Sequence, residues 1–401
     1  MTTKSVDVGV VGGGPAGALT AMLLARAGHE VVLLERAPRW RWRACGVFAS
    51  PAAVAVLRSV GMSERDLERV ARPVRAMHVM SAGGVSFRLT YGGSGELEGS
   101  PVGFDRSALD PHLLELAAAA GVSVRVGATA ERLRLERGRA RIDVTGSDPF
   151  DVVARVVVGA DGLRSRVAAA AGVMRRPPLG PRAALTFHLA DHDAARPDAR
   201  MVVFDDGYVG LAPVPGGQVN VGIVLGRSWF ARLRTAGGWP VARAILAGLP
   251  LAEDAALGEG EPLDRVAGVT PLGHAVSRRA GETWLLVGDA SGFLDPFTGE
   301  GLHRAFVSAT LAAESIDAVL RGRPGAVLAA YERGMRGRFA TKDVVSRIVQ
   351  GFLGRPALFE YTARRLAARS AVRETMGLVI GDLAPAGRVL DPRYLAALLA
   401  P

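Results

Sequence analysis

The chain has 401 residues, 49% of them apolar and 22% charged. That composition excludes a disordered, collagenous or coiled-coil protein and, at roughly 150 residues per domain, suggests two to three domains. The formal charge of +10 comes from 49 basic and 39 acidic residues, and all the basic ones except Lys4 and Lys342 are arginines. The arginines are spread along the chain without an aromatic-interleaved run or zinc-finger spacing, so the excess reads as composition and no nucleic-acid partner is expected. A single cysteine forbids an internal disulfide and fits a reducing, cytoplasmic setting.

From the amino terminus, Val8 to Ala25 carries no charge, but Gly12-Gly13-Gly14-Pro15 interrupts it and no basic leader or cleavage site accompanies it. A signal peptide or membrane span is therefore not expected. Val6–Val11 reads as a buried strand, Ala18–Ala27 as a helix closed by Gly28, and Glu30–Leu34 as a second strand ending in Glu35. The turn Gly12-Gly13-Gly14-Pro15-Ala16-Gly17 lies between strand and helix. In such a βαβ unit Gly12 permits the tight turn, Gly14 lets backbone approach a pyrophosphate, and Gly17 lets helix and strand pack closely. The helix amino terminus faces the phosphates. Glu35, 18 residues after Gly17, is placed to accept hydrogen bonds from the adenosine ribose, which favours FAD or NAD over NADP.

Further along, 74–91 and 183–226 alternate apolar and polar residues, with turns at Gly83-Gly84 and Gly216-Gly217, and predict antiparallel strands of a second sheet. Val156–Val158 leads into Gly159-Ala160-Asp161-Gly162, and Leu285–Val287 into Gly288-Asp289-Ala290. Both read as buried strands ending in an acidic turn. Pro296 to Gly301 opens a predicted helix from Leu302 to Leu320. Residues 326–401 read as helices, with Arg355, Arg364, Arg365, Arg369 and Arg373 beside Phe352, Leu353, Phe359 and Leu366. They form either a cap with a solvated basic face or a surface for peripheral membrane contact. The seven histidines show no metal-ligand spacing; His188 and His192 are split between strand and loop, and His303 reads as a solvated helix residue or one facing a cavity.

These three motifs in this order resemble the FAD-binding fold of the p-hydroxybenzoate hydroxylase superfamily, the class A flavoprotein monooxygenase fold. The run Gly288 to Gly301 (GDASGFLDPFTGEG) is most similar to its geranylgeranyl reductase-like branch. The resemblance implies an α/β fold, with a Rossmann-like FAD-binding domain (1–73, 101–182 and 269–325) interleaved with an antiparallel-sheet substrate domain (74–100 and 183–268). A helical region, 326–401, follows.

The resemblance also implies FAD contacts at Gly12, Gly14, Pro15, Ala16, Gly17, Glu35, Arg36 and Arg43, and at Arg106, Asp161 and Gly162. Gly288, Asp289, Pro296, Gly299, Glu300, Gly301 and Leu302 complete them. Asp289 would bind a ribityl hydroxyl, and the helix after Gly301 would face the pyrimidine end of the flavin, where reduced flavin carries negative charge. Asp161-Gly162 equally fits a turn that caps a helix, and Arg106 a solvated helix-cap arginine. Cys45 and Gly46 match the branch's Cys-Gly near the flavin, where the cysteine delivers a proton during double-bond reduction; a small buried hydrophobe is the alternative. Tyr208 matches the first residue of the branch's Tyr-x-Trp-x-Phe-Pro motif, but Gly210 and Ala212 replace the Trp and Phe.

The expected activity is FAD-dependent reduction of a carbon–carbon double bond in a hydrophobic, isoprenoid- or polyketide-like small molecule. A monooxygenase is the alternative, and a non-catalytic binder of a lipidated partner, like Rab GDP-dissociation inhibitors, is a third. A flavin halogenase lacks its active-site lysine and Trp-x-Trp here. No second dinucleotide fingerprint is present, so either NADPH or NADH donates electrons from a shared or transient site or another protein supplies them.

Overall fold

Parallel strands covered on both faces need apolar residues at every position, and the amino-terminal runs supply them. In the computed structural model, which describes residues 2–91, 97, 99–191, 198–249, 260–322 and 326–400, the first strand is Thr2–Val11. It lies between Val31–Glu35 and Phe150–Gly159, parallel to both. Ser123–Val126 extends the sheet beyond Val31–Glu35, again in parallel. The outer edge of Phe150–Gly159 is shared. Its first half pairs antiparallel with Arg139–Gly146, and its last three residues pair parallel with Trp284–Leu286.

Side chains alternate across this sheet as period two requires. Val8, Val10, Leu33, Val156, Val158 and Leu285 pack under the helices Pro15–Arg26, Arg106–Ala119 and Gly301–Leu320. Val32, Leu34, Val157 and Leu286 face the opposite way, against Ala140, Ile142 and Val167. Pro15 starts its helix at the first turn, where its missing N–H is no loss. Gly28, at φ +90°, ends the chain's turn beyond it.

The second sheet has seven strands, ordered Ala267–Val269, Ala183–Ala190, Gln218–Leu225, Gly207–Val214, Ala199–Phe204, Ala76–Met80 and Ser86–Thr90. Two of its hairpins turn at Gly84 and at Gly216-Gly217, all with positive φ, and another turns at Asp205-Asp206. One pair departs from the expected antiparallel arrangement: Ala199–Val202 runs parallel to Met77–Met80. These strands come from distant segments, so no tight turn forces their direction. One face of the sheet, with Phe187, Val209, Leu211, Val221 and Ile223, packs on the helix Gly238–Ala247.

Met77, Val79, Leu89, Met201 and Tyr208 on the other face pack against the carboxyl-terminal helices Pro356–Ala368 and Ser370–Ile380, through Phe359, Ala363, Leu366 and Val372. These two helices follow the long helix Ala326–Leu353 and precede Pro392–Leu399. The arginines beside Phe359 and Leu366 are not simply a solvated face. Arg369 bonds the carbonyls of Ala397 and Ala400, Arg373 those of Leu366 and Ala367, and Arg365 lies 4.8 Å over the Tyr361 ring. Arginine suits helix ends because it satisfies last-turn carbonyls and complements the dipole. Among the described residues no helix is long and apolar enough to cross a membrane.

Candidate active site

The parallel strands Thr2–Val11, Phe150–Gly159 and Trp284–Leu286 run the same way, so the turns that follow them meet at one crest. A Cβ on Gly12 would stand 2.4 Å from the Ala160 carbonyl oxygen, and one on Gly17 2.0 Å from the Gly12 carbonyl and 2.9 Å from Ala160 Cβ. On Gly288, whose N–H donates to Ser308 Oγ at 2.9 Å, a Cβ would meet Ala16 Cβ at 2.9 Å. Three motifs remote in sequence thus pack on one another through glycines. By contrast, a Cβ on Gly14 or on Gly301 would meet nothing within 4 Å. The backbone at both is open to a ligand, and both lie at helix amino termini where anionic groups are favoured. This arrangement fits FAD: bare, dipole-bearing backbone at Gly14 for a pyrophosphate and at Gly301 for the far end of the molecule.

Glu35, at the tip of its strand, is buried. Its Oε2 accepts from Gly13 N at 2.9 Å, and its Oε1 accepts from Ala37 N at 2.9 Å and from Arg43 Nη2 at 2.6 Å. Burial alone would raise its pKa, but the Ala37 N–H, the Arg43 charge and the Gly13 N–H outweigh it and hold the carboxyl below its ordinary range. Three of roughly four acceptor positions are filled, which leaves capacity for a ribose hydroxyl. Arg36 points to solvent. Asp161 accepts from the backbone N–H of Arg166 at 2.6 Å and of Val167 at 3.4 Å. Its carboxylate serves the start of its own helix, and Gly162 takes a positive φ of 74°.

Cys45 is partly buried in the segment between Glu35 and the strand Phe48–Ala49. Burial pushes its thiol up to about 11; the charges of Arg106 and Arg43 pull it down, and Asp110 and Asp289 push it up. It therefore carries its proton at neutral pH. Arg106 is no solvated cap residue. It is the first residue of its helix, is buried, grips Asp110 through Nε at 2.7 Å and Nη2 at 2.9 Å, and donates from Nη1 to the Gly46 carbonyl at 3.0 Å. The guanidinium thereby fixes the backbone next to Cys45. The Asp289 carboxylate makes no hydrogen bond to another group among the described residues, although its backbone carbonyl accepts from Gly292 N at 3.1 Å. Burial pushes its carboxyl up to about 6 against the pull of Arg106 and Arg304. Asp289 is half-buried, so its unpartnered carboxylate is open to a donor from outside the chain; the nearby Asp161 Oδ1 is fully buried and likewise without a hydrogen-bond partner.

The loop 295–301 is held from both sides. Asp295, with its side chain 2% exposed, takes Tyr208 Oη at 2.6 Å, Gln350 Nε2 at 2.7 Å and Phe297 N at 3.0 Å on Oδ1, and Arg182 Nη1 at 2.6 Å on Oδ2. The Tyr208 ring stands edge-on to Phe297 at 5.0 Å. Its phenol is pushed well above its usual range by burial first and then by Asp295, so its proton stays on the hydroxyl and is directed at the loop. Glu300 turns its carboxylate away from the crest, to Arg304 at 2.9 Å and Lys342 at 3.5 Å. Lys342 also binds Asp382, and His303 Nδ1 lies 2.9 Å from Asp382 Oδ2. His303 is thus a half-buried residue set against a carboxylate and not a solvated one. Leu302 enters the core and Gly299, at φ +68°, abuts Phe48, while Pro296 is half-buried.

Sequence reasoning passed over Arg182, Gln350, Lys342 and Asp382. For Lys342 a signal was present: an internal lysine in a chain that otherwise uses arginine marks a slot too small for a guanidinium. His188 is satisfied by Asp264, 2.8 Å from Nδ1, and by the Trp42 edge at 4.4 Å; His192 lies outside the described residues. A surface concavity of about 330 Å³ lined by Ser5, Asp7, Glu30 and Arg155 sits at the opposite, amino-terminal ends of the parallel strands. Open α/β sheets bind ligands beyond the carboxyl ends of their strands, which makes the crest the candidate site.

A model of the FAD binding domain family matches residues 5–345. The menaquinone reductase of Mycobacterium tuberculosis is 29% identical over 346 residues, 82% of this chain and 81% of that protein. Digeranylgeranylglycerophospholipid reductase 1 of Methanopyrus kandleri is 32% identical over 321 residues, 77% of this chain and 79% of that protein. Among solved structures, a flavoprotein/dehydrogenase from Cytophaga hutchinsonii superposes with a TM-score of 0.82 at 19% identity, covering 98% of this chain and 95% of its own.

Proposed function

The chain belongs to the FAD binding domain family, and from that premise we propose that it reduces a carbon–carbon double bond in a hydrophobic, isoprenoid-like small molecule. It is an FAD-dependent oxidoreductase. Bound FAD, once reduced, supplies the hydride. The observation that carries the proposal is Cys45, whose neighbour Gly46 is gripped by buried Arg106 at 3.0 Å and whose thiol burial keeps protonated. A carbon that receives a hydride across a double bond acquires negative charge on its neighbour, and an acid within reach completes the addition. Cys45 gives that proton and is reprotonated from solvent. Two relatives named as reductases, one of menaquinone and one of a digeranylgeranylglycerophospholipid, support the same class.

The chain's own residues divide the remaining work. Gly12, Gly14 and Gly17, with the helix after Pro15, bind the pyrophosphate, and Glu35 and Arg43 the adenosine side. Asp289 accepts from a ribityl hydroxyl, and the backbone of Gly299 to Leu302 approaches the ring. Arg106 positions the Cys45–Gly46 backbone, and Tyr208 with Asp295 positions the loop 295–301. On this reading 1–73, 101–182 and 269–325 serve FAD, and 74–100 and 183–268 the substrate. NADPH or NADH is the electron donor, from a transient site.

Anaerobic incubation of reduced protein with prenylated quinones and polyprenyl lipids, followed by product mass, tests the proposal. A gain of two hydrogen atoms is expected. A gain of one oxygen atom on admission of air, with no hydrogenated product, would make the protein a monooxygenase instead.

A further inference from the structure

The helix Ala326–Leu353 has two unlike sides. Helical spacing puts Phe339, Lys342, Ser346 and Gln350 on one side, and all are buried. That side holds the flavin-facing loop, through Lys342 to Glu300 and Gln350 to Asp295. On the other side the same spacing aligns Arg333, Arg336, Val344, Arg347 and Ile348, all exposed. Val344 is 42% and Ile348 39% exposed, and Leu383, next to the Lys342 partner Asp382, is 46% exposed. Exposed Val344 and Ile348 flank Arg347, with Arg336 and Arg333 about two and three turns before them on the same side; an ordinary solvated surface intersperses both signs of charge.

The local charge makes the same point. Residues 326–401 carry twelve arginine and lysine residues against six aspartate and glutamate residues, so this last fifth of the chain holds +6 of the total +10. Two of the six acids are turned inward, Asp343 to Arg304 and Asp382 to Lys342, and a third, Glu332, bridges Arg279 at 2.9 Å and Arg336 at 3.3 Å.

We propose that this outward face of Ala326–Leu353 docks the protein on an anionic lipid surface. Basic side chains meet lipid phosphates while Val344 and Ile348 enter the headgroup boundary, the division of labour of interfacial helices. The purpose of docking rests on the reading above, because a hydrophobic substrate is held in lipid and not in water. One helix, about 10 Å thick, then separates the bilayer surface from the loop that approaches the flavin.

The experiment is co-sedimentation of the FAD-loaded full chain with phosphatidylcholine vesicles, with and without phosphatidylglycerol. Binding is expected only with the anionic lipid and is expected to weaken as salt rises. Arg333→Glu/Arg347→Glu lowers it by about tenfold or more. Val344→Ser/Ile348→Ser removes the part that survives salt, and Arg137→Glu, at a residue 94% exposed in another part of the chain, leaves it unchanged. Melting temperature and turnover of detergent-dispersed substrate stay at the parent values in the charge-reversed variant.

Equal binding by that variant and the parent would overturn the proposal, as would parent binding that ignores lipid charge. A parent that forms dimers, loses them on charge reversal and ignores vesicles would assign the face to a second copy. Vesicle binding is read without turnover, so it fails or stands apart from the reductase assignment.

Discussion

Tyr208 Oη donates to Asp295 Oδ1 across 2.6 Å, and this bond ties the second sheet to the loop that opens the helix Gly301–Leu320. Arg182 and Gln350 reach the same carboxylate from two further directions, so four parts of the chain depend on one buried charge. Tyr208→Phe removes one donor of several and is expected to lower stability by about 1.5–3 kcal/mol. Asp295→Ala strands Arg182 and costs about 3–5 kcal/mol. Denaturant titration of both variants and the double variant measures the coupling; additive effects would show that the bond contributes nothing.

Gly14 and Gly17 predict opposite failures. Alanine at 17 would press on the Gly12 carbonyl, whereas alanine at 14 meets open space within the chain and keeps an allowed φ of −73°. Gly17→Ala should therefore fail to fold or melt far below the parent. Gly14→Ala should fold normally and purify with little FAD. A yellow, fully loaded Gly14→Ala protein would mean that no pyrophosphate lies there.

Asp289 gives cofactor binding a pH dependence of defined sign. Its carboxyl is raised from an ordinary 3.8 to about 6 in the chain alone, so the folded state holds the proton more tightly than the unfolded one. Stability of the FAD-free protein should fall as pH rises from about 4 to about 6. A ribityl hydroxyl favours the ionised carboxylate, so FAD affinity should rise over the same window. Isothermal titration across this range is the check, and Asp289→Asn should flatten the affinity profile. Asp289→Ala should purify without FAD; retention of full occupancy would remove Asp289 from the site.

With a thiol pushed up to about 11, Cys45 stays protonated through neutral pH and loses its proton only in alkali. If it is the proton source, product formation in a single turnover should fall on the alkaline side. Cys45→Ala should lower the rate by about 10²–10⁴-fold, the usual range for a lost general acid, and abolish that alkaline limb. Unchanged rates with an unchanged limb would reduce Cys45 to a packing residue.

The parts legible from sequence were those set by local backbone requirements. Gly12, Gly17 and Gly288 are glycines because neighbouring backbone or Cβ atoms leave no room for a side chain, and the strand before each turn is apolar because it is buried on both faces. Hairpin turns at Gly84 and Gly216 were legible for the same reason. The partners of Asp295 and Lys342 were not. They come from helices and strands more than fifty residues away in three cases, from Arg182, Tyr208 and Gln350, and no pattern along the chain encodes which distant elements pack. The parallel pairing of Ala199–Val202 with Met77–Met80 escaped for that reason too. Arg106 was legible as a residue at a helix start, where it proves to be the first helical residue, yet its burial and its grip on Asp110 depend on the segment around Gly46 folding over it.

The divided edge of Phe150–Gly159 has a consequence for the order in which the molecule is completed on the ribosome. Until Trp284–Leu286 arrives, the carboxyl end of that central strand is an unpaired edge of valines, open to pairing with another chain. The glycine turn after Val11 meanwhile lacks Gly288 against Ala16. The nucleotide fingerprint is synthesised well before Gly288, and its cradle closes only once that later turn has emerged. Uptake of yellow cofactor thus waits for Gly288, and a chain cut short before Trp284 would expose a sticky edge instead of an empty socket.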